Sequence, residues 1–381
     1  MRLALDRRLE GGEGTGVAAY ARALDAAVRS AGIEPWGLED RSVGRFGAPA
    51  AGAERALRWS AARWPGVRRL VEHSERRQLW RRDIYRLAQV RFARTGELLR
   101  LRAPGPAGVA HWSYSIPALI DGWINVHTVH DVIPLERPDL SPIDAAAQRR
   151  RLLAIARATD RIVTVSVDAA RRIEAAIGVE AVDLGGAVLG LEPDDADLPA
   201  GLTPGRFLLF CGLVEPRKNL AALARAWDAA GRPLPLVVAG PDGADGAALR
   251  RALAAAGAIT LPFQPRPRLA RLIRDARALV FPSLAEGFGL PVAEAMTLGT
   301  PVITSSGGAP EEVAGGAALL VDPRDEAALA DAIRLIAADD ALAARLRSAG
   351  LARAERFGVD AFGRRLLRFY DGLVAERGGR A

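Results

Sequence analysis

Short apolar runs spaced by helical stretches set the rhythm of the second half of the chain. Runs at 207–211, 236–239, 258–261, 278–281, 301–304 and 317–321 have the length and near-continuous hydrophobicity of strands buried on both faces. Helical patterns at 219–230, 245–256, 267–276 and 291–298 lie between most of them, and one at 325–337 follows the last. Asn219, Asp245 and Asp325 stand at N-cap positions, and Pro291 suits the first residue of a helix. This alternation predicts an α/β domain with a doubly wound parallel sheet, whose ligands belong at the carboxyl ends of its strands.

The first half repeats the rhythm less regularly. Residues 2–5 read as a strand, followed by a glycine loop at 11–16 and a helix to residue 27. Further strands are predicted at 108–112, 123–129 and 161–165, with Ser166 capping the helix after the last. Between them, residues 41–105 predict a basic insertion of helices. Residues 192–205, rich in Pro, Gly and Asp, make the linker, and 360–376 predict a closing helix. The expected organisation is a first domain at 1–195, a second at 206–359, and a segment 360–381 that packs back on the first.

At 381 residues, half of them hydrophobic, the chain is long enough for two cores. No apolar run approaches the ~18 residues of a membrane span. The start, Met1-Arg-Leu-Ala-Leu-Asp-Arg-Arg8, lacks the apolar centre of a secretory leader. The lone cysteine, Cys211, permits no intrachain disulfide; it falls in a strand pattern and reads as core. A reducing cytoplasm suits that count.

The formal net charge of +7 is unevenly spread, with sixteen Arg against five acidic residues between 41 and 102. Trp59, Trp64 and Trp80 are interleaved with those arginines. Two readings stand side by side: a solvated helical face, or contact of residues 50–102 with an anionic membrane surface. Nucleic acid would also be drawn by the charge. No recognition motif accompanies it, so nucleic acid is not expected as a partner.

Of 52 basic residues one alone is a lysine, Lys218. It follows Arg217 in a loop between an apolar run containing Cys211 and a helical stretch. Cations at the end of a strand and the start of a helix make a receptor for a di- or triphosphate; a solvated loop is the alternative. The second constellation is Glu286-Gly-Phe-Gly-Leu-Pro-Val-Ala-Glu294. With Pro291 starting the helix, Glu294 falls in its first turn and Glu286 on the loop before it, so the pair would grip different parts of one elongated ligand. The backbone of Gly287-Phe288-Gly289 can approach that ligand closely. Ionised carboxylates accept from O–H groups, which suits a hydroxyl-rich partner. Read singly, Glu294 is a favourable first-turn charge and Glu286 a surface loop residue.

These residues resemble retaining glycosyltransferases of family 4, which have the GT-B fold: two Rossmann-like doubly wound parallel-sheet domains facing across a cleft. Matching elements are Arg217-Lys218-Asn219, the Glu286–Glu294 pair, Ser305-Ser-Gly-Gly-Ala-Pro-Glu311 and Val321-Asp-Pro323, with Gly14-Thr-Gly-Val-Ala-Ala-Tyr20 and Val129-His-Asp-Val-Ile-Pro134 fitting less closely. The likeness spans nearly all of residues 1–365 and is strongest from 206 to 323.

The resemblance implies roles. Arg217 and Lys218 would neutralise a donor diphosphate, with Gly16 approaching it from the first domain. Glu294 would accept from the ribose hydroxyls, and the base would lie near Phe263. Glu286, Gly287, Phe288 and Gly289 would hold the transferred sugar. His130 would stand beside the reacting sugar and Asp131 on the acceptor side. Ala18 and Ala19 depart from the family's Gly and Arg, which removes a cation from the first-domain loop. The stretch at 129–134 is similar to mannosyltransferases of bacterial surface-polysaccharide assembly. That implies GDP-mannose as donor, a glycan or lipid-linked glycan as acceptor, no metal or other cofactor, and a cytoplasmic place on the inner membrane face.

Other patterns remain open. His111-Trp112 ends a strand and reads equally as acceptor-groove wall or as core. His127 and His130 share a metal-like spacing, but a strand turns them to opposite faces. Asp195-Ala-Asp197 lies in the linker, away from any strand end. Competing functions are a GT-B phosphorylase or epimerase on sugar phosphates, an inactive sugar-nucleotide-binding protein, and an NAD-dependent oxidoreductase suggested by the glycine loop.

Overall fold

The computed structural model describes residues 1–9, 16–40 and 66–378. The strands of the first lobe are β1 (Leu3–Asp6), β2 (Trp36–Asp40), β3 (Arg68–Arg69), β4 (Val71–His73), β5 (Gln78–Arg81), β6 (Leu99–Arg102), β7 (Val109–Trp112), β8 (Ala118–Ile120), β9 (Ile124–Thr128), β10 (Arg161–Thr164) and β11 (Ala181–Asp183). Its main sheet has the order β11-β10-β9-β7-β1-β2-β5-β4, parallel except for the antiparallel β4 edge. Strands β3, β6 and β8 form a small parallel sheet beside it.

The helical insertion expected at 41–105 is corrected here. Residues 41–65, with Trp59 and Trp64, lie outside the described residues. From residue 66 the chain forms β3 to β6, with a single α-helix, Ile84–Thr95, among them. The physical reason is a period of two hidden under the arginines. In β6, Leu99 and Leu101 are buried while Arg100 and Arg102 are exposed. Trp80 therefore sits on a strand, and β5 and β4 extend the main sheet.

The second lobe is built from β12 (Leu208–Cys211), β13 (Leu236–Ala239), β14 (Ile259–Leu261), β15 (Ala278–Phe281), β16 (Val302–Ser305) and β17 (Leu319–Val321). All pairings are parallel, in the order β14-β13-β12-β15-β16-β17. Strands β12, β13 and β15 are buried along their whole length, as near-continuous apolar runs dictate. Ser166 and Asp325 cap their helices by accepting from Ala169 N at 3.0 Å and Ala328 N at 2.9 Å. Asn219 and Asp245 do not: both are left-handed and make no capping bond. The Asn219 amide donates instead to the Pro323 carbonyl at 2.6 Å.

The closing helix Val359–Gly378 packs on the first-lobe helix Gly16–Ser30. Its Phe362, Leu366 and Tyr370 share a core with Leu3, Tyr20 and Leu24. The lobes also meet directly. Ser166 Oγ donates to the Gly287 carbonyl at 2.7 Å, and the Glu312 carboxylate accepts from Val167 N and Asp168 N at 2.9 Å each. Phe288 packs against the cores of both lobes.

Candidate active site in the interlobe cleft

In the second sheet the winding reverses between β12 and β15, which opens a crevice at their carboxyl ends. Past β12 the chain makes a 3-10 turn, Pro216–Lys218; past β15 it runs through Ser283 to Glu286. The turn and the loop therefore meet. Lys218 Nζ lies 2.5 Å from Glu286 Oε1, and Arg217 Nη1 lies 2.9 Å from Oε2. Arg217 also donates to the Ala285 carbonyl at 2.7 Å and to Glu215 at 2.6 Å. The Lys218 ammonium lies 4.9 Å from the centre of the Phe281 ring.

The cluster is buried, and its charges hold one another in place. Burial alone would raise the Glu286 carboxyl, but Lys218 and Arg217 outweigh it and bring it down to about 2. Burial pulls Lys218 below the usual lysine range, against the opposing pull of Glu286. Sequence reasoning gave Glu286 to the sugar and the cations to the phosphate. In this structure they are one ionic unit.

A cavity of about 720 Å³ runs between the lobes and joins these residues to the others. Its second-lobe wall holds Arg217, Lys218, Phe263, Glu286, Gly287, Phe288, Gly289 and Glu294; its first-lobe wall holds Gly16, His130 and Asp131. Gly287 has no side chain because none fits: a Cβ there would meet the His130 carbonyl at 2.3 Å. Gly289, at φ +103°, turns the chain into the helix Leu290–Thr297.

Glu294 lies beyond the first turn of that helix, since Leu290 rather than Pro291 begins it. It is 2% exposed. Burial raises its carboxyl, offset in part by Arg266, whose Nη1 donates to Oε1 at 2.6 Å. On the first lobe, His130 Nε2 bonds the Ser113 carbonyl at 2.9 Å, and burial lowers its imidazole to about 4. Asp131 Oδ1 accepts from Ile133 N at 3.1 Å, and burial raises its carboxyl.

Two predicted residues are elsewhere. His111 and Trp112 are each 1% exposed and do not line the cavity. His111 bonds Tyr370 Oη at 2.5 Å and Thr128 Oγ1 at 2.9 Å, while the Trp112 indole donates to Asn125 at 3.3 Å. The acceptor-wall reading gives way to the core reading, because β7 lies inside the sheet with both faces covered. His127 also turns inward, bonding Thr159 and the Ile116 carbonyl at 3.0 Å each.

Sequence reasoning missed Arg266, Arg22 and Gln264, all on the cavity wall. A signal for Arg266 existed in its place between Pro265 and Pro267, just after a strand of the doubly wound pattern.

Comparison with solved structures gives the architecture. HepE of Anabaena, solved in complex with UDP and glucose, matches with a TM-score of 0.65 at 15% identity, over 98% of this chain and 100% of that one. Two facing Rossmann-like lobes of this kind are the GT-B fold. Sequence comparison then gives the family. The model for glycosyl transferases group 1 matches residues 201–353. D-inositol 3-phosphate glycosyltransferase 1 of Catenulispora acidiphila is 32% identical over 320 residues, 74% of this chain and 75% of that protein. O-antigen chain mannosyltransferase B of Escherichia coli is 34% identical over 159 residues, 40% of this chain and 42% of that protein. The first relatives found are matched over 42 to 64% of their own length. The chain belongs to the group 1 glycosyl transferases.

Proposed function

We propose that the chain is a retaining, metal-independent glycosyltransferase. It moves a hexose from a nucleotide-diphosphate sugar to a hydroxyl of a glycan or lipid-linked glycan. One observation carries this reading: the buried Arg217–Lys218–Glu286 cluster opens onto the same cavity as Glu294 and His130. GDP-mannose is our first choice of donor, supported by the similarity to a mannosyltransferase.

The chemistry follows from the charges. As the bond from the sugar C1 to the diphosphate breaks, negative charge grows on the departing oxygen. Lys218 spends one donor on Glu286 and keeps two for that oxygen. Fixed cations placed there act on the transition state more than on the ground state, and they replace a metal. The acceptor oxygen bonds to C1 from the same face, and its proton passes to the leaving diphosphate. Glu286 keeps the cations aimed, and the Gly287–Gly289 backbone holds sugar hydroxyls. Glu294 takes the ribose and Phe263 the base. His130 is neutral at working pH and serves as an orienting dipole.

A thermal-shift screen of nucleotide sugars tests this directly, since a ligand at 100 times its dissociation constant adds about 2.7 kcal/mol to stability. The expected result is a rise with one donor, lost in Glu294→Ala. No response to any nucleotide sugar would sink the proposal. Peripheral membrane placement is part of the same reading. It draws on the exposed Arg69, Arg76 and Arg82 near the β4–β5 edge. Vesicles with anionic lipid should capture the protein, and equal capture by neutral vesicles would count against that placement. No helix among the described residues is long and apolar enough to cross a membrane.

A further inference from the structure

We infer that Arg266 is a positioning residue of the donor site, the counter-ion that aims Glu294 at the ribose hydroxyls. This rests on the reading of the cavity as a nucleotide-sugar site. Four arginines punctuate the helix Arg266–Asp275, and only Arg266 reaches the cavity wall. Arg268 bonds the carbonyls of Ala196 and Asp197, while Arg271 and Arg274 pair with Asp275. Arg266 sends one arm to Glu294 Oε1 at 2.6 Å and the other to the Leu189 carbonyl at 2.9 Å. That second partner lies in the segment after β11 that joins the lobes. Pro265 and Pro267 on either side restrict the backbone, and the two bonds, to Glu294 and to Leu189, hold the planar fork.

Glu294 has little else to hold it. Its helix neighbours Val292, Ala293, Ala295 and Met296 are buried and apolar. Among the described residues two titratable groups face it, Arg266 and the Cys211 thiol of β12. Burial pushes that thiol up and keeps it neutral, so Arg266 supplies the charge. The helices Ala309–Ala314 and Asp340–Ala354, also packed on this one, contribute no charge that acts on it. Arg266 engages one oxygen of a carboxylate that lines the cavity, and the second oxygen is the acceptor this inference assigns to the ligand.

The sign of the consequence is definite. Burial raises the Glu294 carboxyl and Arg266 lowers it. Without Arg266 the neutral acid populates at higher pH, and it is the poorer acceptor for ribose hydroxyls. Binding should therefore weaken most at low pH.

The test is calorimetric titration of the full chain with UDP and with GDP from pH 6 to 9, read as the ratio of variant to wild type so that the probe's own titration cancels. Arg266→Gln is expected to bind at least about 10-fold more weakly at pH 6, and within about 3-fold of wild type at pH 9. Arg266→Lys should restore most of the pH 6 affinity, because it keeps the charge. Glu294→Gln should bind weakly at every pH. A loss in Arg266→Gln that is equal at all pH values and unrescued by lysine would make Arg266 only a tether to Leu189, and would overturn the inference. Unchanged binding in Arg266→Gln would overturn it too. Wild type binding neither nucleotide would instead bring down the donor-site reading, and this inference with it.

Discussion

A buried charge means different things in the two lobes. In the second lobe the buried ionic groups Lys218 and Glu294 stand on the cavity wall, held by partners that leave some of their donors or acceptors unused. In the first lobe His111 and His127 are buried as deeply, yet both ring nitrogens of each are bonded to protein. Burial of a polar group requires a partner in either case. What separates site from scaffold is whether hydrogen-bonding capacity is left over at a cavity. On the proposed reading the second lobe holds the charged ligand, and the first contributes His130 and Asp131 to the wall of the space around it.

The largest expected effect tests the second lobe. Lys218→Ala should lower transfer by about 10²–10³, the usual loss for one fixed donor at a developing charge. It also leaves Glu286 with Arg217 as its sole charged partner of the former pair. Lys218→Arg should not rescue, because a planar fork cannot take the place of an ammonium between Phe281 and Glu286. Single-turnover nucleotide release measures both, and near-wild-type rates would break the contrast between the lobes. Next in size is the seam itself. Gly287→Ala sets a methyl 2.3 Å from the His130 carbonyl and must push the lobes apart. Turnover should fall about 10–100-fold, since misplacement near 1 Å carries that penalty. Nucleotide affinity, set within the second lobe, should hold.

The same contrast explains what the sequence disclosed. Each predicted strand of the second lobe lies within two residues of an observed one, because strands buried on both faces leave an unbroken apolar mark, as at 236–239. Arg217, Lys218, Glu286 and Glu294 could be read together because a doubly wound sheet brings the ends of β12 and β15 to one crevice. The first lobe wrote its strands in mixed residues. Trp36–Asp40 ends in two acids, and Gln78–Arg81 has one fully buried side chain, so neither stood out. Arg266 escaped notice because its role depends on the approach of a helix start to a glutamate 28 positions on, which no local period records.

A smaller effect separates scaffold from site in the first lobe. His111→Phe removes two hydrogen bonds and strands the hydroxyl of Tyr370, while Thr128 Oγ1 keeps its bond to the Tyr20 hydroxyl at 3.3 Å. Stability to denaturant should drop by about 1–3 kcal/mol. Donor and acceptor KM should stay put at temperatures where the variant is folded. A raised acceptor KM with unchanged stability would return His111 to the acceptor wall.

The smallest expected effect is a flat line, and it bears on mechanism. Burial lowers the His130 imidazole to about 4, with the Ser113 carbonyl opposing only in part. A lowered histidine value means the neutral form dominates above that pH, so protonation begins only as the pH falls toward 4. A proton-transferring His130 near the ordinary value of about 6.5 would give kcat/KM a limb between pH 7 and 5.5. The neutral dipole proposed here gives none in that interval. The profile should be taken as the ratio of wild type to His130→Asn, which removes limbs belonging to the substrate's phosphates. A ratio constant within about twofold from pH 5.5 to 8 fits an orienting group. A ratio that falls tenfold per pH unit on the acid side would make His130 a base, and would give the first lobe a share of the chemistry beyond orientation.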